Sequence, residues 1–146
     1  MGGGKRAGLD ADADPDMPVA GGGLKVLVVD DNRDAADSCA ALLELSGHSV
    51  QAAYTGREAL ALAANSRPHV VVTDIGLPDM DGYEVAAKIK AAPWGRRMVL
   101  VAVTGWGEES DKQRAFSAGF IHHLTKPIDP DALESLLQSL DTELGT

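Results

Sequence analysis

The chain has 146 residues, 13 of them Lys or Arg and 22 Asp or Glu, for a formal net charge of −9. That length gives one domain with enough chain to bury a core, and the acidity argues against a basic surface for nucleic acid. The single cysteine excludes an internal disulfide framework and a multi-cysteine zinc site.

No apolar run approaches a membrane span and the first residues carry no apolar leader core, so a cytoplasmic chain without membrane contact is expected. Residues 1–23 hold two glycine triplets and an alternating acidic run (Asp10, Asp12, Asp14, Asp16) with no helical or strand period. They read as a disordered arm or linker ahead of one domain over residues 24–144.

From residue 24 the chain alternates between two kinds of segment. The first apolar run, residues 24–29, ends in Asp30-Asp31-Asn32 and leads into a helical stripe of Ala35, Cys39, Leu42, Leu43 and Ser46, stopped by Gly47. A second run covers 49–54, before Thr55-Gly56-Arg57-Glu58 at capping-box spacing. The third, 69–73, ends in Asp74. Asp81-Gly82-Tyr83-Glu84 follows as a variant cap, with Asp79 and Asp81 read as loop and cap residues. Trp94 marks a loop before the fourth run, 98–103, which ends in Thr104-Gly105. Gly119 stops another helix before the fifth run, 121–125, which ends in Lys126-Pro127. Asp129-Pro130 then caps a last helix with Leu133, Leu136, Leu137, Leu140 and Leu144 on one face.

Runs this short and Val-rich predict strands buried on both faces. Five strands alternating with five helices predict an α/β fold, a parallel sheet with helices on both sides. In such sheets the site lies beyond the carboxyl ends of the strands. There the sequence places Asp30, Asp31, Asp74, Thr104 and Lys126. Three close carboxylates repel one another, and a hard divalent cation with oxygen ligands relieves that repulsion. With a lysine and a hydroxyl beside it, the cluster suits a phosphoryl group.

Four pieces, in order and each at the end of the right strand, resemble the receiver domain of two-component response regulators: Val28-Val29-Asp30-Asp31-Asn32, Thr73-Asp74 with Leu77-Pro78-Asp79-Met80-Asp81-Gly82, Val103-Thr104-Gly105, and Lys126-Pro127. The resemblance covers nearly all but the arm. It implies a (βα)5 doubly wound, flavodoxin-like fold with strand order 2-1-3-4-5. It implies that Asp74 accepts a phosphoryl group from a phosphohistidine on a histidine kinase or histidine phosphotransfer protein, with Mg2+ or Mn2+ as cofactor. Asp31, Asp74 and the carbonyl of Gly76 match the direct metal ligands, and Asp30 matches the one acting through water. Thr104 matches the switch hydroxyl, Lys126 the lysine that pairs with the phosphoryl group, and a cis Lys126-Pro127 bond is usual in the family. Such a domain is a phosphoacceptor module that catalyses its own phosphorylation and dephosphorylation, and it switches conformation to signal to a downstream protein. A homodimer is compatible, since many receivers pair through their last two helices and fifth strand, but the sequence marks no interface.

Some positions depart from the familiar pattern. His123 stands where the switch aromatic is often Tyr or Phe, and its neighbour His122 must point to the opposite face. One packed and one exposed histidine is the simplest reading; a pH-sensitive switch at His123 is the sharper one. The resemblance implies that Gly76 and Trp106 flank the phosphoryl position, as the matching positions do in receivers. Gly76 has no side chain to orient water and Trp106 is bulky, which predicts slow self-dephosphorylation. Cys39 reads as a small buried hydrophobe.

The chain fits a free-standing regulator or a receiver from a hybrid histidine kinase; the segment around Thr104 to Gly107 and His122-His123 leans toward the second. Two other readings compete. A Mg2+-dependent aspartyl-phosphate phosphohydrolase would need an acid two residues after the nucleophile, where Gly76 stands. A receiver-like binding module without phosphorylation sits poorly with an intact acidic cluster, Thr104 and Lys126.

Overall fold

The computed structural model describes residues 23–104, 112–126 and 128–145, with no side-chain description for 112–113 and 141–145. The expected arm (except Gly23), Gly105, Trp106 and Pro127, with its peptide bond, lie outside the described residues.

The elements are β1 (Lys25–Val29), α1 (Arg33–Leu45), β2 (Ser49–Ala53), α2 (Gly56–Ser66), β3 (Val70–Asp74), α3 (Gly82–Ala91), a 3-10 turn (Pro93–Gly95), β4 (Val99–Thr104), α4 (Lys112–Ala118), β5 (Phe120–Thr125) and α5 (Pro130–Gly145). All strands pair in parallel, in the order β2-β1-β3-β4-β5. The predicted fold and strand order are those observed. No helix among the described residues is long and apolar enough to cross a membrane.

Alternation along the strands separates two cores. Leu27, Val29, Val71, Leu100 and Ala102 pack with Ala59 and Ala63 of α2, Val85, Ala86 and Ile89 of α3, and Ala115 of α4. Val26, Val28, Val70, Val72, Val101 and Val103 pack on the other face with Ala36 and Leu43 of α1 and Leu133, Leu137 and Leu140 of α5. Burial on both faces holds for β1, β3 and β4 only. The edge strands β2 and β5 alternate between buried or half-buried and exposed positions, because each has a neighbour on one side alone.

The α1 stripe is a correction. Ala36 and Leu43 face the core and Cys39 is half-buried, whereas Ala35, Leu42 and Ser46 are exposed. The buried line is thus displaced from the expected stripe: Ala35, Cys39 and Leu42 instead line a cleft between α1 and the first turns of α5.

Local chemistry bounds the helices, at Asn32 with a cap beyond those expected and at Thr55, Gly47 and Gly119 as expected. Asn32 accepts from the N–H of Ala35 at 3.1 Å, and Thr55 Oγ1 from the N–H of Glu58 at 3.0 Å. The return half of the capping box differs: Glu58 Oε1 accepts from Tyr54 N–H, one residue before the cap. Gly47 and Gly119 terminate their helices at φ +102° and +115°, values that L side chains rarely adopt.

Between β4 and β5 the register slips by one residue. Leu100 pairs with Phe120 but Val101 pairs with His122, leaving Ile121 as the extra residue. The slip decides which histidine faces Thr104. Without it His122 would share Phe120's face; with it His123 takes the face of Ala102 and Thr104, its partner and near neighbour on β4.

Candidate functional site

Each site residue is delivered by the end of a strand. Asp30 follows β1 and is buried. Its backbone N–H donates to Ala53 of β2 at 3.1 Å, and its carboxylate accepts from the N–H of Asn32 at 3.0 Å. Asp31 is exposed beside it. Asp74 closes β3 and is 6% exposed, with Oδ1 accepting from Gly76 N–H at 3.2 Å. Lys126 follows β5; its backbone N–H donates to the carbonyl of Thr104 at 2.8 Å, tying the two strand ends together.

The Lys126 ammonium lies 2.6 Å from Asp74 Oδ2 and 3.4 Å from Asp30 Oδ2. Partial burial alone would lower its pKa, but the hydrogen bond and charge of Asp74, with those of Asp30, outweigh it and hold Lys126 above the ordinary lysine value. One oxygen from each of Asp30, Asp31 and Asp74 lies within 4.8 Å of the others. A trio of hard oxygen donors with one exposed member fits a divalent cation of the Mg2+ type, which keeps several waters and needs few protein ligands. The single lysine charge does not offset three carboxylates.

Thr104, at the end of β4, is 4% exposed and its Oγ1 lies 2.9 Å from His123 Nε2. His123 is exposed and His122 half-buried on the opposite face, so the alternation expected of the pair holds. Cys39 is half-buried; burial first, then the nearby Asp30 charge, pushes its thiol pKa up, which leaves it the neutral packing residue expected.

The structure also brings in groups that sequence reasoning missed. Gly82 opens α3 directly behind Asp74: its N–H donates to Ile75 O at 2.7 Å, and a Cβ there would lie 2.6 Å from the carbonyl oxygen of Asp74. Only a glycine lets the loop after β3 close on itself this tightly. Asp79, expected as a plain loop residue, accepts from the N–H groups of Gly56 and Arg57 at 2.7 and 2.8 Å, capping α2 from another loop. Those two hydrogen bonds, Arg57 foremost, lower its pKa against a smaller effect of burial. Asp81 behaves as the expected cap, accepting from Glu84 N–H at 2.8 Å. Beside the carboxylates a cleft of about 620 Å3 opens between α1 and α5, lined by Cys39, Leu42, Leu43, Leu133 and Glu134. The Gly82 approach had a signal, a glycine right after a cap; the contacts of Asp79 and the cleft join segments far apart in sequence and had none.

Residues 26–138 match the family model described as "Response regulator receiver domain". The chain is 37% identical over 115 residues to an uncharacterised 14.6 kDa protein of Leptolyngbya boryana, covering 79% of this chain and 88% of that one. It is also 37% identical over 121 residues to the response regulator MprA of Mycolicibacterium vanbaalenii, covering 83% of this chain but only 48%, about half, of that protein. Among solved structures, chemotaxis response regulator CheY4 of Vibrio cholerae superposes with a TM-score of 0.73 at 30% identity, covering 80% of this chain and 97% of that one. A CheY-like receiver domain protein of Methanospirillum hungatei gives 0.72 at 34% identity, covering 81% and 94%. With the acidic cluster, Thr104 and Lys126 at the carboxyl edge of a 2-1-3-4-5 parallel sheet, the chain belongs to the response regulator receiver domain family, a family of two-component signalling domains.

Proposed function

We propose that Asp74 accepts a phosphoryl group from a phosphohistidine on a histidine kinase or phosphotransfer partner, and that the phosphorylated chain signals by changing conformation. The observation that carries this is the placement of Asp74: a nearly buried carboxylate, held by the Lys126 ammonium at 2.6 Å and grouped with Asp30 and Asp31.

The chemistry follows from these groups. A carboxylate oxygen of Asp74 forms a bond to phosphorus as the bond from phosphorus to the partner's imidazole nitrogen breaks. The electron pair of that bond leaves with the imidazole, and the aspartate becomes an acyl phosphate. Lys126, already paired with Asp74 and Asp30, shifts its donors toward the incoming oxygens. Thr104 turns its hydroxyl toward the same oxygens. Asp30, Asp31 and Asp74, with the Gly76 carbonyl, would hold Mg2+ or Mn2+, which supplies charge neutralisation for the transferring group. Water later attacks phosphorus and regenerates the carboxylate.

The switch is a shift between two populations, biased by where Thr104 and Lys126 find their partners. The family match across most of the chain supports this reading. The experiment is intact-mass measurement after incubation with acetyl phosphate and Mg2+, in which acetate leaves in place of the imidazole. The expected result is one phosphoryl addition that is lost without the cation and lost in Asp74→Asn. Turnover of a phosphomonoester with no mass gain would instead favour a phosphohydrolase.

A further inference from the structure

The contact between Thr104 and His123 has a consequence beyond the position of the hydroxyl. A threonine hydroxyl owns one proton and two lone pairs. Its Oγ1 lies 2.9 Å from His123 Nε2, within hydrogen-bond distance. If Nε2 is bare, the hydroxyl proton is given to the imidazole and is unavailable to a phosphoryl oxygen. If Nε2 carries a proton, Oγ1 accepts from it and its own proton is free. The geometry points to the second arrangement: His123 is a positioning residue whose Nε2–H donates to Thr104, so that the hydroxyl proton is directed to the phosphoryl group. This rests on the reading of Asp74 as the phosphoryl acceptor.

One observation supports the direction, and a second the placement of His123. The site gathers Asp30, Asp31 and Asp74 against one lysine, and a phosphoryl group adds further negative charge. A chain of donors running from His123 through Thr104 to that charge points every dipole the favourable way, and each bond polarises the next. Of the cations described near this end of the sheet, Lys126 pairs with Asp74 and Asp30, and Arg114 of α4 lies 3.5 Å from Asp81. The second observation is the one-residue slip at Ile121, which alone brings residue 123, rather than 122, onto Thr104's face. A phenylalanine there would fill space but donate nothing.

The full chain labelled with 15N in histidine gives the direct readout. In the beryllofluoride complex formed with Mg2+, the His123 Nε2 resonance is expected in the protonated range; a bare Nε2 with the proton on Nδ1 overturns the proposal. Rates of phosphoryl gain from acetyl phosphate give the second. His123→Phe should be slower by about three- to tenfold, the worth of one hydrogen bond. His123→Gln, whose amide can donate from a similar place, should recover most of the rate. Equal rates for wild type and His123→Phe, alongside Asp74-dependent labelling, would overturn the role of His123 and leave the acceptor intact. Absence of any Asp74-dependent labelling would instead overturn the acceptor reading.

Discussion

Lys126 stands between Asp74 and Asp30, and its raised pKa has a definite consequence for stability. A cation whose pKa is higher in the folded chain contributes stability in full below its unfolded value, here about 10.5, and loses it as pH rises through the folded value. The stability difference between wild type and Lys126→Met should therefore be flat through neutral pH and shrink above about pH 10.5. Urea midpoints across that range measure it; a difference that already changes near neutrality would contradict the assignment. Gly76 makes a second residue-scale case. A Cβ built there meets nothing within 4 Å, so a side chain can be added without displacing a neighbour. Gly76→Asn should fold normally and, by placing an amide beside Asp74 to orient water, shorten the lifetime of the acyl phosphate severalfold. Timed loss of the added mass checks this, and an unchanged lifetime would show that position 76 does not limit hydrolysis.

At the scale of elements, the loop after β3 is held from two sides: by Gly82 packed on Asp74's carbonyl and by Asp79 capping α2. Asp79→Ala should lower Tm at neutral pH. Because its carboxylate pKa is lowered in the folded chain, that contribution is present above the ordinary value of 3.8 and fades as pH falls through the folded value. Melting curves of the two chains should converge in acid; a gap that persists there would mean that the loop, not the charge-assisted cap, sets the loss. These elements also mark what the sequence makes legible. Short Val-rich runs, Thr55, Asp81 and the glycines that end helices announce themselves locally, and the strand-end residues follow from them. Cross-strand slip at Ile121, the reach of Asp79 to α2, and the displaced core line of α1 depend on neighbours distant in sequence, so periodicity could not show them. The residue-by-residue resemblance placed His123 on the switch position, and the slip supplies the physical reason that it reaches Thr104.

For the whole molecule, two cores flank one sheet, and the charge cluster sits at its carboxyl edge where neither core covers it fully. Leu137 is fully buried against the α1 side; Leu137→Ala should cost about 2–5 kcal/mol, read from denaturant unfolding. Mg2+ should act oppositely. A cation that binds only the folded cluster stabilises it by about 2.7 kcal/mol at a hundredfold excess over Kd. The resulting rise in Tm should disappear in Asp31→Asn.

The central claim is that a single carboxylate, Asp74, carries the phosphoryl group. Borohydride reduces an acyl phosphate to an alcohol, so trapping the phosphorylated chain and mapping its peptides reads the acceptor directly. The account predicts homoserine at position 74, formed only when Mg2+ and a phosphodonor are both present. Homoserine at Asp30 or Asp31, or none at position 74 in a chain that has gained a phosphoryl group, would contradict it.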